Sequence, residues 1–238
     1  MTKLYSELAT VYYEMYQTLF NYKQEFKKYH DILRRYQCRS VLELACGNGQ
    51  LTPYFMECQY DYCGLDLYNE MLTIARINHP DARFVRGDMC DLQFDEKFDA
   101  IIIPGRSFCY MTTNDDMLCA FASIQRTSKQ GGIFVFDNFK ADAIFADFKQ
   151  DMQHCVAYQT RRYIRDSQCT PPNLATGWIW NWDATYTVEE AGKEMRVYHD
   201  TSVLRAFIKE ELSLLLQLAN FEIKELFADE FSFLVVAG

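Results

Sequence analysis

The stretch SVLELACGNGQLTPYF, residues 40–55, decides how the rest of the chain is read. Val41, Leu42 and Leu44 make a short apolar run, Gly47 and Gly49 interrupt it, and a helical pattern follows near 49–57. A strand that ends in a glycine turn and opens a helix commonly holds a ligand there, because backbone N–H groups are left exposed at the turn. What the turn lacks narrows the ligand. A phosphate-binding loop has four residues between its glycines and a Lys after the second; a dinucleotide fingerprint has a third glycine for close helix packing. Here the turn reads Gly47-Asn48-Gly49-Gln50-Leu51-Thr52, with Thr52 where the third glycine would stand. Glu43, just ahead of the turn, repels a phosphate and suits a ligand with positive charge. S-adenosylmethionine, with an ammonium, a sulfonium and no phosphate, is such a ligand.

Outward from this turn the same unit repeats. YDYCGLDL (60–67), ARFVRGDM (82–89), FDAIIIPG (98–105) and GGIFVFDNF (131–139) read as further strands, with helices expected near 69–79 and 114–128. Strands alternating with helices predict an α/β fold, a parallel sheet with helices on both faces. Phe134, Val135 and Phe136 show no polar alternation, as expected of a strand buried on both sides. Residues 3–36 read as helical, an N-terminal cap over 1–36. From 141 to 205 the rhythm changes: one helical pattern (142–150) precedes segments rich in Tyr, Trp, Thr and Val, with a hairpin turn around Gly192. This region reads as an inserted helix and antiparallel β lid within a single domain, 1–238. A helix over 208–221, ended by Asn220, and two strands, FEIKELFAD and FSFLVVAG, close the chain.

The 238 residues suffice for a full core without staples. The net charge of −9 argues against a nucleic-acid partner, since phosphate contact needs a basic field. RRYIR (161–165) is the one short basic cluster and reads as a solvated strand face. The nine cysteines are scattered, with no pair at zinc-ligand or redox spacing, so no metal is expected. The first residues lack the apolar core of a secretory signal, and no run of 18 apolar residues exists to span a membrane. Reduced thiols in the cytoplasm are the economical expectation.

VLELACGNG resembles the first motif of class I S-adenosylmethionine-dependent methyltransferases, and the resemblance runs on through GLDLYNEMLTIAR, FVRGDMCDLQFDEKFDAIII and the closing strand pair. LATVYYEMY, RSFCYM and the inserted sheet resemble small-molecule members of the amino-sugar N,N-dimethyltransferase and glycine N-methyltransferase type. The resemblance implies a Rossmann-like, mostly parallel seven-stranded sheet, S-adenosyl-L-methionine as cofactor and S-adenosyl-L-homocysteine as product. Asp66, 19 residues after Gly47 at the end of the second strand, suits the ribose hydroxyls, or else caps the next helix in competition with Asn69. By resemblance Asp88 accepts from the adenine amino group and the Met89 N–H meets the ring. Leu67 and Met71 sandwich the adenine, and the Ala45 carbonyl takes the ammonium. Glu43, Gly47, Gly49 and Pro104 complete the cofactor set, and Tyr12 and Tyr16 match positions that fold over the cofactor in these families. Tyr13 stands where many relatives have Asp.

The acceptor is expected to be a small molecule. PGRSFCYM (104–111) replaces the Asn/Asp-Pro-Pro-Tyr signature that clamps planar nitrogens, which disfavours DNA and protein amides. Arg106, Ser107 and Tyr110 are expected at the mouth, Tyr110 roughly where amino-sugar enzymes place a substrate-contacting residue. Trp178, Trp180 and Trp182 alternate on a strand and share one face. That face packs the sheet or walls the acceptor, with Trp180 the candidate contact. Arg205 matches a recurrent Leu-Arg and is expected to point into the same cleft. Tyr110, Tyr12 and His199 are the candidates for a catalytic part. A sulfonium leaving group needs no protonation, so catalysis is mainly alignment and an amine acceptor need only be neutral. Nitrogen is the preferred acceptor. An O-methyltransferase of a small metabolite and a catalytically silent binding scaffold are the alternatives, and the absent third glycine disfavours a nucleotide-dependent oxidoreductase.

Overall fold

A computed structural model describes residues 2–171 and 177–238; residues 172–176 of the inserted region, where the reading of TGWIWNWDATYTV begins, lie outside them. Among the described residues the elements are α1 (Ala9–Tyr16), α2 (Tyr22–Arg35), β1 (Ser40–Leu44), α3 (Thr52–Glu57), β2 (Asp61–Asp66), α4 (Asn69–Asn78), β3 (Arg83–Arg86) and β4 (Phe98–Ile103). They continue as α5 (Asn114–Thr127), β5 (Ser128–Phe139), α6 (Ala141–Ala146), β6 (Asp151–Tyr158), β7 (Arg161–Cys169), β8 (Ile179–Glu190) and β9 (Arg196–Arg205). The chain closes with α7 (Lys209–Leu218), β10 (Ile223–Ala228) and β11 (Ser232–Ala237). No helix among the described residues is long and apolar enough to cross a membrane.

The main sheet has the order β10-β11-β5-β4-β1-β2-β3, and β11 alone runs antiparallel to its neighbours. Both faces are dry. Phe134 and Phe136 stack at 4.7 Å on the face covered by α5 and α7, while Ile133 and Val135 face the helices α2 and α3. Burial on both sides explains the unbroken apolar run of β5. The strand order reverses between β1 and β4, so the ligand crevice belongs at their carboxyl ends.

The helix expected over 3–36 begins only at Ala9 and is broken at 17–21. The Asn21 side chain accepts the Gln24 N–H at 3.1 Å and restarts helix α2, which packs on the main sheet. The residues before the break go elsewhere: Leu4, Leu8 and Met15 pack against Tyr163, Ala184, Tyr186 and Val188 of the second sheet. That sheet is an antiparallel meander, β6-β7-β8-β9. The helix expected over 142–150 shortens to α6, Gly192 (φ +76°) turns β8 into β9, and Asn220 (φ +57°) follows the end of α7 in the left-handed conformation that stops helices.

Candidate active site

A cavity of about 1060 Å³ lies between the carboxyl ends of β1, β2, β4 and β5 and the inner face of the second sheet; Leu4, Tyr5, Tyr12 and Tyr16 also line it. This is at the upper end of the range for ligand pockets, roughly 300–1,000 Å³.

The glycine turn forms one end. Ala45 and Gly47 have φ of +55° and +58°, so the chain doubles back directly after β1. Positive φ is unusual at Ala and natural at Gly. A Cβ on Gly47 would stand 3.2 Å from the Met71 Cε. Gly49, expected in the cofactor set, does not line the cavity. A Cβ there would meet His79, Thr52 and Ala75 at 3.1–3.2 Å, so this glycine lets the turn press against α4. It does the packing that a third glycine does in dinucleotide folds. Thr52, in that third-glycine position, is buried with its hydroxyl 3.1 Å from the Tyr62 hydroxyl.

Two carboxylates flank the turn. Glu43 is 2% exposed and accepts the Tyr62 O–H at 2.6 Å; burial pushes its carboxyl up to about 8. Asp66 accepts the Gly47 N–H on Oδ2 and the Tyr68 N–H on Oδ1, both at 2.8 Å, and burial raises its pKa as well. Neither Asp66 nor Asn69 caps α4: its N-cap is Tyr68, which makes no side-chain cap. Asp88 Oδ1 accepts the Cys90 N–H at 2.9 Å, and Asp88, Met89, Leu67, buried Met71 and Pro104 complete this end.

The opposite end is aromatic. The hydroxyls of Tyr110 and Tyr5 are 2.8 Å apart, and burial pushes both phenols up. Tyr12 and Tyr16 stack at 4.2 Å. Arg106 (φ +59°) donates its N–H to half-buried Asp137 at 2.8 Å and lays its guanidinium 5.0 Å over Phe139. Burial pushes the Asp137 carboxyl up to about 6. The Ser107 hydroxyl donates to the Pro104 carbonyl at 3.0 Å. Trp180 and Trp182 line the cavity; Trp178 stacks on Phe145 outside it.

Two expected site residues lie off the cavity. His199 is exposed and bonded to Thr185, because strand alternation sends its neighbour Asp200 inward instead. Arg205 is buried but turns away from the cleft. Its Nη2 donates to Asn114 Oδ1 and Glu211 Oε1, both at 2.6 Å, and its guanidinium lies 4.6 Å over Phe207, tying β9 to α5 and α7.

The cavity residues missed from sequence include Tyr5, Asp137, His154, Arg165 and Asp200. Asp137 stands near the end of β5 as Asp66 ends β2, a parallel that was there to be read. Tyr5 lies seven residues before Tyr12, a spacing that a helix over 3–36 would put on one face, although Tyr5 itself precedes α1. RRYIR divides: Arg161 pairs with Glu14 and Glu190, Arg162 with Glu189, and Arg165 turns into the cavity.

Residues 41–132 match a family model described as "Methyltransferase domain". The chain is 29% identical over 175 residues to the dTDP-3-amino-3,4,6-trideoxy-alpha-D-glucopyranose N,N-dimethyltransferase of Streptomyces venezuelae, covering 74% of this chain and 72% of the relative. The crystal structure of Streptomyces venezuelae DesVI superposes with a TM-score of 0.79 at 25% identity, covering 90% of this chain and 91% of that one. An S-adenosylmethionine-dependent methyltransferase from Clostridium acetobutylicum ATCC 824 shares the fold at TM-score 0.80 and 18% identity, over 98% of each chain.

Proposed function

We propose that this chain, which belongs to the class I S-adenosylmethionine-dependent methyltransferases, methylates an amine nitrogen of a small molecule. The glycine-turn end of the cavity suits this cofactor: it offers Glu43, Asp66, Asp88 and backbone carbonyls, and none of the lining residues within 43–51, 65–71 and 87–89 is a Lys or Arg that would hold a phosphate. Asp66 would take the ribose hydroxyls, Asp88 and the Met89 N–H the adenine edge, Leu67 and Met71 its faces, and the Ala45 carbonyl the ammonium. Glu43 would balance the positive charge, and the stacked Tyr12 and Tyr16 would lie toward the sulfonium, where aromatic faces are favourable. When bound, the cofactor supplies an electrophilic methyl carbon on a leaving group that needs no proton.

The observation that carries the amine reading is the Tyr5–Tyr110 pair. Burial keeps both phenols protonated, so they orient an acceptor by hydrogen bonds and do not act as bases. A neutral amine needs no more than that; a hydroxyl gains from a base. The sugar N,N-dimethyltransferase relative supports the same choice. Residues 1–36 would act as a cap and 141–205 as a lid over the acceptor. The nine cysteines are all unpaired, which supports a reducing, cytoplasmic setting. The alternative, an oxygen acceptor, would gain from a base; His154 lines the cavity, but its Nδ1 lone pair takes the Arg165 Nη2 N–H and its Nε2 carries the proton, so it offers no base there. A screen of small amines and hydroxylated metabolites with methyl-labelled cofactor decides it. Label on nitrogen is expected; label on oxygen alone overturns the amine reading.

Glu43 makes cofactor binding pH-dependent. Its pKa is raised in the free protein, so the proton-bound form is favoured there, and the stability it lends is lost as pH rises from the ordinary carboxylate range through about 8. A cation beside it favours the ionised form, so binding expels a proton below pH 8. Affinity is expected to rise between pH 6 and 7.5 by up to about tenfold per unit. This window lies below the range, roughly 7.7–8.0, where an α-amino group itself titrates. Calorimetry in buffers of different ionisation heat reads the proton release, and Glu43→Gln should abolish it.

A further inference from the structure

We propose that the acceptor carries an anionic group, a carboxylate or a phosphate, held by Arg165; the assignment rests on the cavity being the methyl-acceptor site. Arg165 is 7% exposed and lines the cavity. Its guanidinium is clasped by neutral groups: Nη1 donates to the Tyr16 hydroxyl, Nη2 donates to His154 Nδ1 at 3.2 Å, and the plane lies 5.5 Å from both the Tyr16 and Trp182 rings. Nε is buried with no partner. Among the described residues no carboxylate comes within ion-pairing distance, whereas Arg161, Arg162 and Arg205 each have one. The buried carboxylate of β9, Asp200, is taken by Thr2, Lys3 and Leu4.

A buried guanidinium always carries its charge, and burying it without a counter-charge costs several kcal/mol. Arginine's fork of donors matches a carboxylate or phosphate edge, and each Nη of Arg165 keeps one N–H beyond its bond to Tyr16 or His154. His154, accepting on Nδ1, carries its proton on Nε2 and so presents a second donor to the same cavity.

The test uses the full chain saturated with S-adenosylhomocysteine, titrated with inorganic phosphate, pyrophosphate and acetate while tryptophan fluorescence reports from Trp182. At least one anion is expected to give a saturable change, weakened at least tenfold in Arg165→Gln and less in Arg165→Lys, with S-adenosylhomocysteine still bound. Saturation by phosphate or pyrophosphate assigns a phosphate-bearing acceptor, and saturation by acetate alone a carboxylate. If Arg165→Gln fails to hold S-adenosylhomocysteine, Arg165→Lys, which keeps the charge and loses the fork, decides the matter: binding as tight as in the unmodified protein overturns the proposal. Absence of any saturable anion, or equal affinity in Arg165→Gln, overturns it too. The titration involves no methyl transfer, so label found on oxygen would overturn the amine reading and leave this subsite standing.

Discussion

Asp66→Asn is expected to weaken binding of S-adenosylhomocysteine at least about 100-fold. The carboxylate spends one lone pair of each oxygen on the chain itself, accepting the Gly47 and Tyr68 N–H groups at 2.8 Å, and is 6% exposed. One further site on each oxygen remains for the ribose hydroxyls. Asn keeps one acceptor oxygen, so one bond to a charged group, worth about 1.5–3 kcal/mol, is lost and the other drops to a neutral bond, about 1 kcal/mol weaker; the sum of roughly 2.5–4 kcal/mol is a factor of about 10² or more. Asn does more than remove charge. Its NH₂ must face one of the two backbone N–H donors, so either Gly47 or Tyr68 loses its tie to β2. An orphaned buried donor costs about 1–3 kcal/mol, enough to lower Tm by about 2–10 °C in a chain of this size. Titration calorimetry and a melting curve read the two effects separately. Affinity within threefold of the unmodified protein would place the ribose elsewhere. Asp66→Glu separates charge from reach: it keeps the anion, and the longer side chain displaces the oxygens from the Gly47 and Tyr68 N–H groups, so binding is expected to fall there also.

The parallel sheet could be read from the sequence because burial on both faces leaves a local signature. The Val-Leu, Ile-Ile-Ile and Phe-Val-Phe runs of β1, β4 and β5 are each self-contained. The carboxylates at the strand ends follow, since the positions of Glu43, Asp66 and Asp88 are set by strands a few residues long. The other half of the cavity is different. Whether Arg165, His199 or Asp200 faces the cavity depends on the parity of the second sheet, and one step along a strand reverses every side chain. Trp180 lines the cavity on β8, and its pairing with Leu204 fixes the even positions of β9 as inward, which puts Asp200 in and His199 out. That pairing links residues distant in sequence, and a single strand carries no record of it. Arg205 fails for a related reason. It sits at the last residue of β9, where its partners come from α5 and α7, so its direction is set by helix packing and not by the strand.

Asp200→Ala is expected to lower kcat/KM about 100-fold while shifting the main melting transition little. Asp200 is 5% exposed; Oδ2 accepts the Thr2 hydroxyl at 2.6 Å, and Oδ1 accepts the Lys3 and Leu4 N–H groups at 2.5 and 3.3 Å. These bonds join the first residues of the chain to β9 and hold Leu4 and Tyr5 at the cavity. Two or three charge-assisted bonds at about 1.5–3 kcal/mol each exceed the closing free energy that a terminal segment usually has. Without them the open form dominates. Activity then falls with the closed fraction, and a loss of about 2.7 kcal/mol is a factor of 100. Local opening of the terminal segment leaves the packing of the main sheet in place, so its transition is expected to stay. Leu4→Ala loosens the same segment through its packing on Tyr163 and Tyr186, so the double variant should lose less than the sum of the two single losses. Limited proteolysis should cut the first residues faster in Asp200→Ala, and saturating S-adenosylhomocysteine should slow the cut by favouring the closed form. Unchanged kcat/KM with unchanged protection of the N-terminal segment would show that Asp200 anchors nothing the reaction needs.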